Sequence, residues 1–210
     1  GVDDSVSPGG HGTGVAGLAL YGDLVDALAS PSRIQIYHGL ESFKMIQRGT
    51  ASDPELYGAI TETAVSTPLV DRPFNPRVFC MTITAEQVFA GRPSAWSAAV
   101  DKIAFGSHLD PAIPQLLILS GGNVEIEKHQ DYPHKNQLET VQDPAQAYNA
   151  ITVGSYTRKD RLSTIAYRPL ASVGAMAPSN STSLTWDHQW PIKPDIVMEG
   201  GNRSTDGIHA

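Results

Sequence analysis

Four short runs of apolar, β-prone residues recur along the chain, separated by longer mixed segments. They occupy residues 77–85, 114–119, 150–156 and 195–198. The first run, Arg-Val-Phe-Cys-Met-Thr-Ile-Thr-Ala, is continuous rather than alternating, as expected for a strand buried on both faces of a parallel sheet. Each run has the length of a strand and is too short for a helix. The pattern therefore predicts four strands.

Helical periodicity occurs before the first of these strands and again between the first and the second. Leu56, Ile60 and Ala64 recur at a spacing of four, and the Ser-Asp-Pro-Glu sequence at 52–55 is a capping box, so a helix is predicted over about 53–66. A second helix, ending near residue 105, is predicted from the apolar positions Trp96, Ala99, Val100 and Ile103. Weaker patterns predict an alternating strand at 33–38, a short apolar piece at 43–46 and a short helix opening at 143–144.

Alternating strands and helices indicate an α/β fold with a mostly parallel central sheet. The chain has 210 residues, of which 40% are hydrophobic and 18% charged, which suits one globular domain. Residues 158–210 are rich in loop-forming residues, and the last five residues carry no capping or closing signal. We therefore expect a single, partial domain over residues 1–210 that is truncated at both ends.

Charge and cysteine content exclude several classes of partner and site. A formal net charge of -7 provides no basic surface for nucleic acid or an anionic membrane. No apolar run reaches the roughly 18 residues of a membrane span. The single cysteine, Cys80, excludes an internal disulfide and is predicted to be inert core. Because a free thiol suits a reducing cytosol and no secretory leader is recognisable, a cytoplasmic location is slightly favoured, with secretion left open.

Residues 11–17, His-Gly-Thr-Gly-Val-Ala-Gly, place a histidine at the start of a predicted apolar helix. A histidine held at a helix N-terminus has a fixed ring that is aimed outward, which suits a general base. The following small residues allow close packing of that helix. Residues 12–17 also satisfy the G-x-G-x-x-G dinucleotide pattern, but that pattern needs a hydrophobic strand directly before it, and residues 1–10 are loop-like.

The sequence Ser120-Gly121-Gly122-Asn123 follows directly after the second predicted strand. The carboxyl ends of the strands are the edge at which open α/β sheets place their sites. An asparagine made accessible there by two glycines can direct its side-chain amide at a developing oxyanion. Taken alone, a Gly-Asn pair is more typical of an ordinary turn.

Together these segments resemble the subtilisin-like serine proteases, the subtilase or peptidase S8 family. Residues 11–17 resemble its His-Gly-Thr-x-Val-Ala-Gly motif, and residues 120–123 resemble its oxyanion-hole motif. Residues 144–154 resemble Pro-Ala-x-x-x-Asn-x-Ile-x-Val-Gly-Ala, and residues 193–201 resemble Lys-Pro-Asp-(Ile/Val)-x-Ala-Pro-Gly. The order of the segments is that of the family, over nearly the whole chain.

The resemblance implies a three-layer subtilisin-like fold and a serine endopeptidase that hydrolyses peptide bonds through an Asp/His/Ser triad. His11 would be the catalytic base and Asn123 the oxyanion-hole donor. The exit of the strand at 78–85 would line the groove for the substrate backbone, with main-chain pairing to an extended peptide. The residues implied to contact substrate are Thr82, Ile83, Thr84, Gly121 and Gly122.

Two triad members are not recognisable. The family's Asp-(Ser/Thr)-Gly motif has no counterpart, and Asp3 and Asp4 are better explained as a solvated loop. The nucleophile motif Gly-Thr-Ser-x-(Ala/Ser)-x-Pro is also absent from the 210 residues. Four serines are excluded as substitutes because none has the strand-turn-helix setting of a nucleophile: Ser179, Ser181, Ser183 and Ser204. The resemblance thus implies an internal fragment that is inactive alone.

Three alternatives stay open. The chain could be a non-catalytic peptide-binding module of the same fold, or a second polypeptide could supply the catalytic aspartate and serine. The third alternative is a dinucleotide-dependent oxidoreductase, which the G-x-G-x-x-G pattern at 12–17 would indicate. A protein or peptide substrate is the expected partner, with self-association through truncated sheet edges also expected. No cofactor is expected. Structural calcium occurs in the family, but no loop here has a ligand pattern, and His129 and His134 are predicted to be solvated in a polar loop at 127–136.

Overall fold

The computed structural model describes residues 10–45, 53–86, 89–106, 113–162 and 166–205. The chain divides into two compact units, Gly1–Ala51 and Ser52–Ala210. The helices are α1 (His11–Tyr21), α2 (Leu24–Ala29), α3 (Tyr57–Asp71), α4 (Ala95–Phe105) and α5 (His134–Leu138). The strands are β1 (Val78–Met81), β2 (Leu116–Ser120), β3 (Ile151–Tyr156) and β4 (Ile196–Glu199). Two 3-10 helices occupy Pro54–Leu56 and Ile126–Asp131.

The described part of the first unit contains two helices, α1 and α2. α1 begins at His11, as predicted, and none of its residues is buried. The strand predicted at 33–38 is wrong, because these residues form no strand and are exposed throughout. An alternating pattern yields a strand only where a second strand supplies hydrogen bonds, and no strand occurs among the described residues of this unit. Residues 43–45 are likewise not a strand.

The second unit is built on a four-stranded parallel sheet in the order β1-β2-β3-β4. All four strands were predicted, and the α/β fold with a parallel sheet flanked by helices is confirmed. The predicted first strand is too long, since residues 82–84 leave the sheet and Ala85 forms an isolated antiparallel bridge with Asp143. β1 is an edge strand of the described sheet. Its side chains alternate between exposed and half-buried, whereas the prediction was a strand buried on both faces.

That alternation overturns the prediction for Cys80. Its neighbours Phe79 and Met81 pack against the core, whereas Cys80 is exposed. Partial burial around the sulfur nevertheless raises the pKa of the thiol, which favours the protonated, unreactive form at neutral pH. The cysteine is therefore a surface thiol rather than a core residue.

α4 covers the sheet because its apolar positions recur on one face. Ser94 caps the helix in a reciprocal capping box with Ser97, and Gly106 ends it in the left-handed conformation at φ 84°. α3 packs on α4 so closely that a Cβ at Gly58 would lie 3.0 Å from Ala99. The buried apolar cluster consists of Val65, Trp96, Val100, Ile103, Ala104, Leu117, Leu119, Val141, Ala145, Ala147, Ala150 and Trp186.

The helix predicted over 53–66 is present but starts and ends later. Asp53 caps the preceding 3-10 helix by accepting a hydrogen bond from the Glu55 N–H, while Ser52 lies outside the described residues. α3 then continues to Asp71 because Val65 and Leu69 pack against the core. The short helix predicted to open at 143–144 is wrong, since Asp143 forms the bridge with Ala85 and residues 144–146 form a turn.

The buried core predicts that alanine substitutions of two leucines in β2 differ greatly in how far they destabilise the protein. Leu119 is 1% exposed and Leu116 is 44% exposed. Leu119→Ala is expected to lower the free energy of unfolding by about 2–5 kcal/mol, because it leaves a cavity under α4. Leu116→Ala, the matched control, is expected to cost about 1 kcal/mol because its side chain is partly in water already. Urea denaturation measures both, and equal losses would contradict this core.

Candidate functional site

The predicted substrate-contacting segments lie at one edge of the sheet. Residues 82–84 follow β1 and residues 121–123 follow β2. The two strands are parallel neighbours, with Met81 opposite Leu119, so both segments leave the sheet at its carboxyl edge. This is the edge at which α/β sheets place ligands. The structure thus brings the predicted peptide-binding and oxyanion segments together.

The glycine pair fixes the path of the chain after β2. Gly121 is buried, its N–H donates to the Val153 carbonyl at 3.1 Å, and its carbonyl accepts from the Gln142 N–H at 3.0 Å and the Ser181 hydroxyl at 2.8 Å. Gly122 has φ 90°, and a Cβ there would overlap the side chain of Gln142. Both the backbone conformation and the close approach therefore require glycine at position 122.

Asn123 combines a fixed main chain with an unengaged side chain. It forms an antiparallel bridge with Asn180, and the next residue, Val124, donates its N–H to the Ser179 carbonyl at 2.9 Å. The residue is exposed, and its side-chain amide makes no hydrogen bond within the part of the chain that the structure describes. An amide held in place but not consumed by the fold is suited to bind an external oxygen atom.

Residues 82–84 are half-buried and are anchored through the side chains of Ile83 and Thr84. Ile83 packs against the core, and the Thr84 hydroxyl donates to Gln142 Oε1 at 2.5 Å. The main-chain groups of Ile83 and Thr84 make no hydrogen bond to other described residues of the second unit. Within the described part of the chain, Ile83 and Thr84 therefore offer main-chain donors and acceptors that no hydrogen bond uses, next to the glycine pair.

Sequence reasoning missed Gln142 and Asp143, which join these segments. Asp143 is 5% exposed, and its Oδ1 accepts from the Ser94 hydroxyl at 2.5 Å and from Gln146 Nε2 at 2.9 Å. Burial raises the pKa of the Asp143 carboxyl, and these two hydrogen bonds offset part of the rise. Local sequence patterns could not indicate this pair, because the hydroxyl groups that bind it, on Thr84 and Ser94, are 58 and 49 residues away in the sequence.

His11 is the first helical residue of α1, where the sequence predicted it, and its side chain is exposed. Gly10 precedes it as the N-cap without a side-chain cap. His11 belongs to the first unit, whereas Asn123 and the other predicted site residues belong to the second. Asp3 and Asp4 lie outside the described residues.

The prediction that His129 is solvated is wrong. Residues 126–131 form a 3-10 helix, and His129 is 4% exposed, with Nε2 donating to the Val124 carbonyl at 3.1 Å. That bond assigns the proton to Nε2 and leaves the buried Nδ1 without a partner among the described residues. His134 is exposed at the start of α5, as predicted.

The serines considered as nucleophiles have structural contacts instead. The Ser181 hydroxyl donates to Gly121, and the Ser183 hydroxyl accepts from the Lys193 N–H at 2.9 Å. Ser204 is fully buried. Among the described residues, no group of three or more His, Cys, Asp or Glu side chains could hold a metal ion. In the same part of the chain, no helix has both the length and the apolarity to cross a membrane.

A family model for the subtilase family (peptidase S8) matches residues 2–209. The chain belongs to the subtilase family. The match spans both compact units and confirms the family to which the sequence motifs pointed. A search of curated proteins and a search of solved structures each found no match. Membership of this family implies, at the level of the family, a serine endopeptidase that acts on proteins.

The glycine pair of this subtilase gives a testable contrast. Gly122→Ala adds a methyl group that overlaps Gln142 and also strains a backbone with positive φ. The matched control Gly174→Ala has the same strain, at φ 83°, but no described atom within 4 Å of the new Cβ. We expect Gly174→Ala to cost about 1 kcal/mol and Gly122→Ala clearly more. Thermal denaturation measures both, and equal costs would refute the close contact.

Asp143 predicts a pH dependence of stability. The pKa of the Asp143 carboxyl is raised in the folded chain. Its contribution to the free energy of unfolding is therefore full below the unfolded pKa of about 3.9 and is lost as the pH rises through the folded pKa. Asp143→Asn keeps an acceptor oxygen and stays neutral. Its stability relative to wild type should therefore increase from pH 4 to pH 7 in urea denaturation. The exposed Asp131→Asn is the matched control, and a constant difference for Asp143→Asn would contradict the prediction.

Proposed function

We propose that the chain is part of the catalytic domain of a subtilisin-like serine endopeptidase, with His11 as general base and Asn123 as oxyanion-hole donor. The observation that carries the proposal is that Asn123 has a fixed main chain and an exposed side-chain amide. Its main chain is bridged to Asn180, while its amide is exposed and unengaged among the described residues. Preorganised donors of this kind stabilise charge that develops in a transition state without having to reorganise.

In this reaction the serine hydroxyl attacks the peptide carbonyl and His11 removes its proton. The carbonyl oxygen becomes an oxyanion that accepts a hydrogen bond from Asn123 Nδ2. His11 then delivers the proton to the leaving amine, and water hydrolyses the acyl-enzyme by the same steps. The aspartate that orients His11 and the serine nucleophile have no recognisable motif in the 210 residues. We propose that they lie outside this sequence and that the chain is inactive alone.

The substrate in this proposal is an extended peptide segment. Among the described residues, the main-chain groups of Ile83 and Thr84 find no hydrogen-bond partner, and they follow an edge strand of the described sheet. An extended peptide can pair with such groups as an added strand, which provides affinity with little dependence on the peptide's sequence. Thr82, Gly121 and Gly122 would then border the scissile bond on the side of Asn123.

A second candidate function is the binding of a peptide at the same carboxyl edge of the sheet without hydrolysis. The main chain that we propose to bind a peptide lies at the carboxyl edge of the described sheet, whereas the nucleophile motif is not recognisable in the sequence. A non-catalytic module of the subtilase fold that binds extended peptides is consistent with both observations. The two candidates differ in whether a serine becomes covalently labelled.

Labelling with a fluorophosphonate probe separates the two candidates. We expect the full-length gene product to be labelled and the 210-residue chain to remain unlabelled, because the probe reacts only with an activated serine. Labelling of neither protein would overturn the endopeptidase proposal in favour of the binding module. Labelling of the short chain would show that one of its own serines is a nucleophile.

Variants of the full-length gene product then test the two assigned roles. His11→Ala is expected to abolish labelling, and His38→Ala, a histidine of the same unit bound to the Ala19 carbonyl, is the matched control. Asn123→Ala is expected to lower kcat by about 10²–10³, the loss known for the equivalent donor in subtilisin, with little change in KM. Its control is the exposed Asn75→Ala. Unchanged kcat in Asn123→Ala would remove the oxyanion role.

A further inference from the structure

Gln142 lies between the two segments of the proposed site and contacts both. Its N–H donates to the Gly121 carbonyl at 3.0 Å, and its Oε1 accepts from the Thr84 hydroxyl at 2.5 Å. Its side chain also fills the space in which a Cβ of Gly122 would lie. One residue therefore determines how far apart the two segments can be.

The anchoring of the next residue makes Gln142 a rigid spacer. The Asp143 N–H donates to the Ala85 carbonyl at 3.2 Å, and the Ala85 N–H donates back to Asp143 at 2.8 Å. The buried Asp143 carboxyl is in turn bound to Ser94 at the start of α4 and to Gln146. Because α4 is packed on the sheet, Gln142 cannot shift without breaking several buried hydrogen bonds.

We propose that Gln142 is a positioning residue that sets the distance between the peptide-binding main chain at 82–84 and the Asn123 amide. The inference rests on the proposed function. The loop that carries Asn123 begins at Gly121, so a displacement of that carbonyl shifts the amide relative to a peptide bound at Thr84. A misplacement of about 1 Å can cost a hundredfold in rate. Gln142 acts on the alignment of groups and does not touch the reacting atoms.

Two substitutions separate the hydrogen bond from the shape of the side chain. Gln142→Met keeps the length of the side chain but removes the acceptor for Thr84. Gln142→Glu keeps an acceptor oxygen and serves as the conservative rescue. Thr84→Val removes the same bond from the other partner and is the variant to use if Gln142→Met does not fold. Gln137→Met, on the exposed surface of α5, is the matched control.

Amide hydrogen exchange of the 210-residue chain gives a readout that does not need activity. Gln142→Met and Thr84→Val are expected to speed exchange at residues 82–86 and 120–124 by about tenfold, while β3 stays at the wild-type rate. Gln142→Glu and Gln137→Met are expected to exchange like wild type. Unchanged exchange at both segments would overturn the proposed spacer.

Kinetics of the full-length gene product test the consequence for the reaction. Gln142→Met is expected to lower kcat by about tenfold to a hundredfold with KM within about twofold, and Gln142→Glu is expected to restore most of kcat. In the Asn123→Ala background the effect of Gln142→Met should shrink to less than about twofold, since the amide to be aligned is gone. An undiminished effect there, or wild-type kcat in Gln142→Met, would overturn the inference alone. A wild-type protein that hydrolyses no peptide would overturn the proposed function and the inference with it.

Discussion

The buried carbonyl of Gly121 is the constraint on which the rest of the site depends. A buried carbonyl must find hydrogen-bond donors, and the sheet ladder ends at this point, so the donors have to come from elsewhere in the chain. They are supplied by the Gln142 N–H and the Ser181 hydroxyl, which lie 21 and 60 residues further along the sequence. Satisfying one peptide group thus draws two distant loops to the end of β2. Among the described residues, the side-chain amide of Asn123 takes no part in these contacts.

The elements that could be predicted from the sequence are those whose cause is local. Apolar runs of strand length produced β1 to β4, and α4 follows from its apolar spacing and its small capping residues. Predictions failed where a distant partner decides the outcome. The alternation at 33–38 found no neighbouring strand, and the Asp-Pro pair at 143–144 became a turn because Asp143 pairs with Ala85 and binds Ser94. His129 is a different case, because the carbonyl that its Nε2 binds belongs to Val124, only five residues earlier in the sequence.

The loop-rich part of the second unit is ordered by side-chain amides in place of a backbone ladder. Asn202 accepts from Ala171 N–H and Arg203 N–H and donates to the Ala171 carbonyl, so one side chain holds two loops. Asn180 accepts a hydrogen bond from the N–H of Ser155 in β3, and Asn136 donates to the Asn180 carbonyl. Buried amides satisfy backbone groups that no strand or helix reaches. The composition of this region reads as flexible loop, because pairwise contacts of this kind leave no periodic signal.

The candidate site was predictable only in part, because local sequence patterns indicate local structure and carry no information about distant contacts. Asn123 could be inferred because it follows a buried strand and a glycine pair, which are features of the local sequence. The parts that hold Asn123 in place could not, because Gln142, Asn180 and Ser181 are brought to it only by folding. A donor that stabilises a developing charge must be fixed before the charge appears, since reorganising it during the reaction would cost part of the gain. The rigidity that a hydrolytic reaction would require therefore lies in residues that carry no catalytic motif, and a family motif identifies the donor without identifying its support.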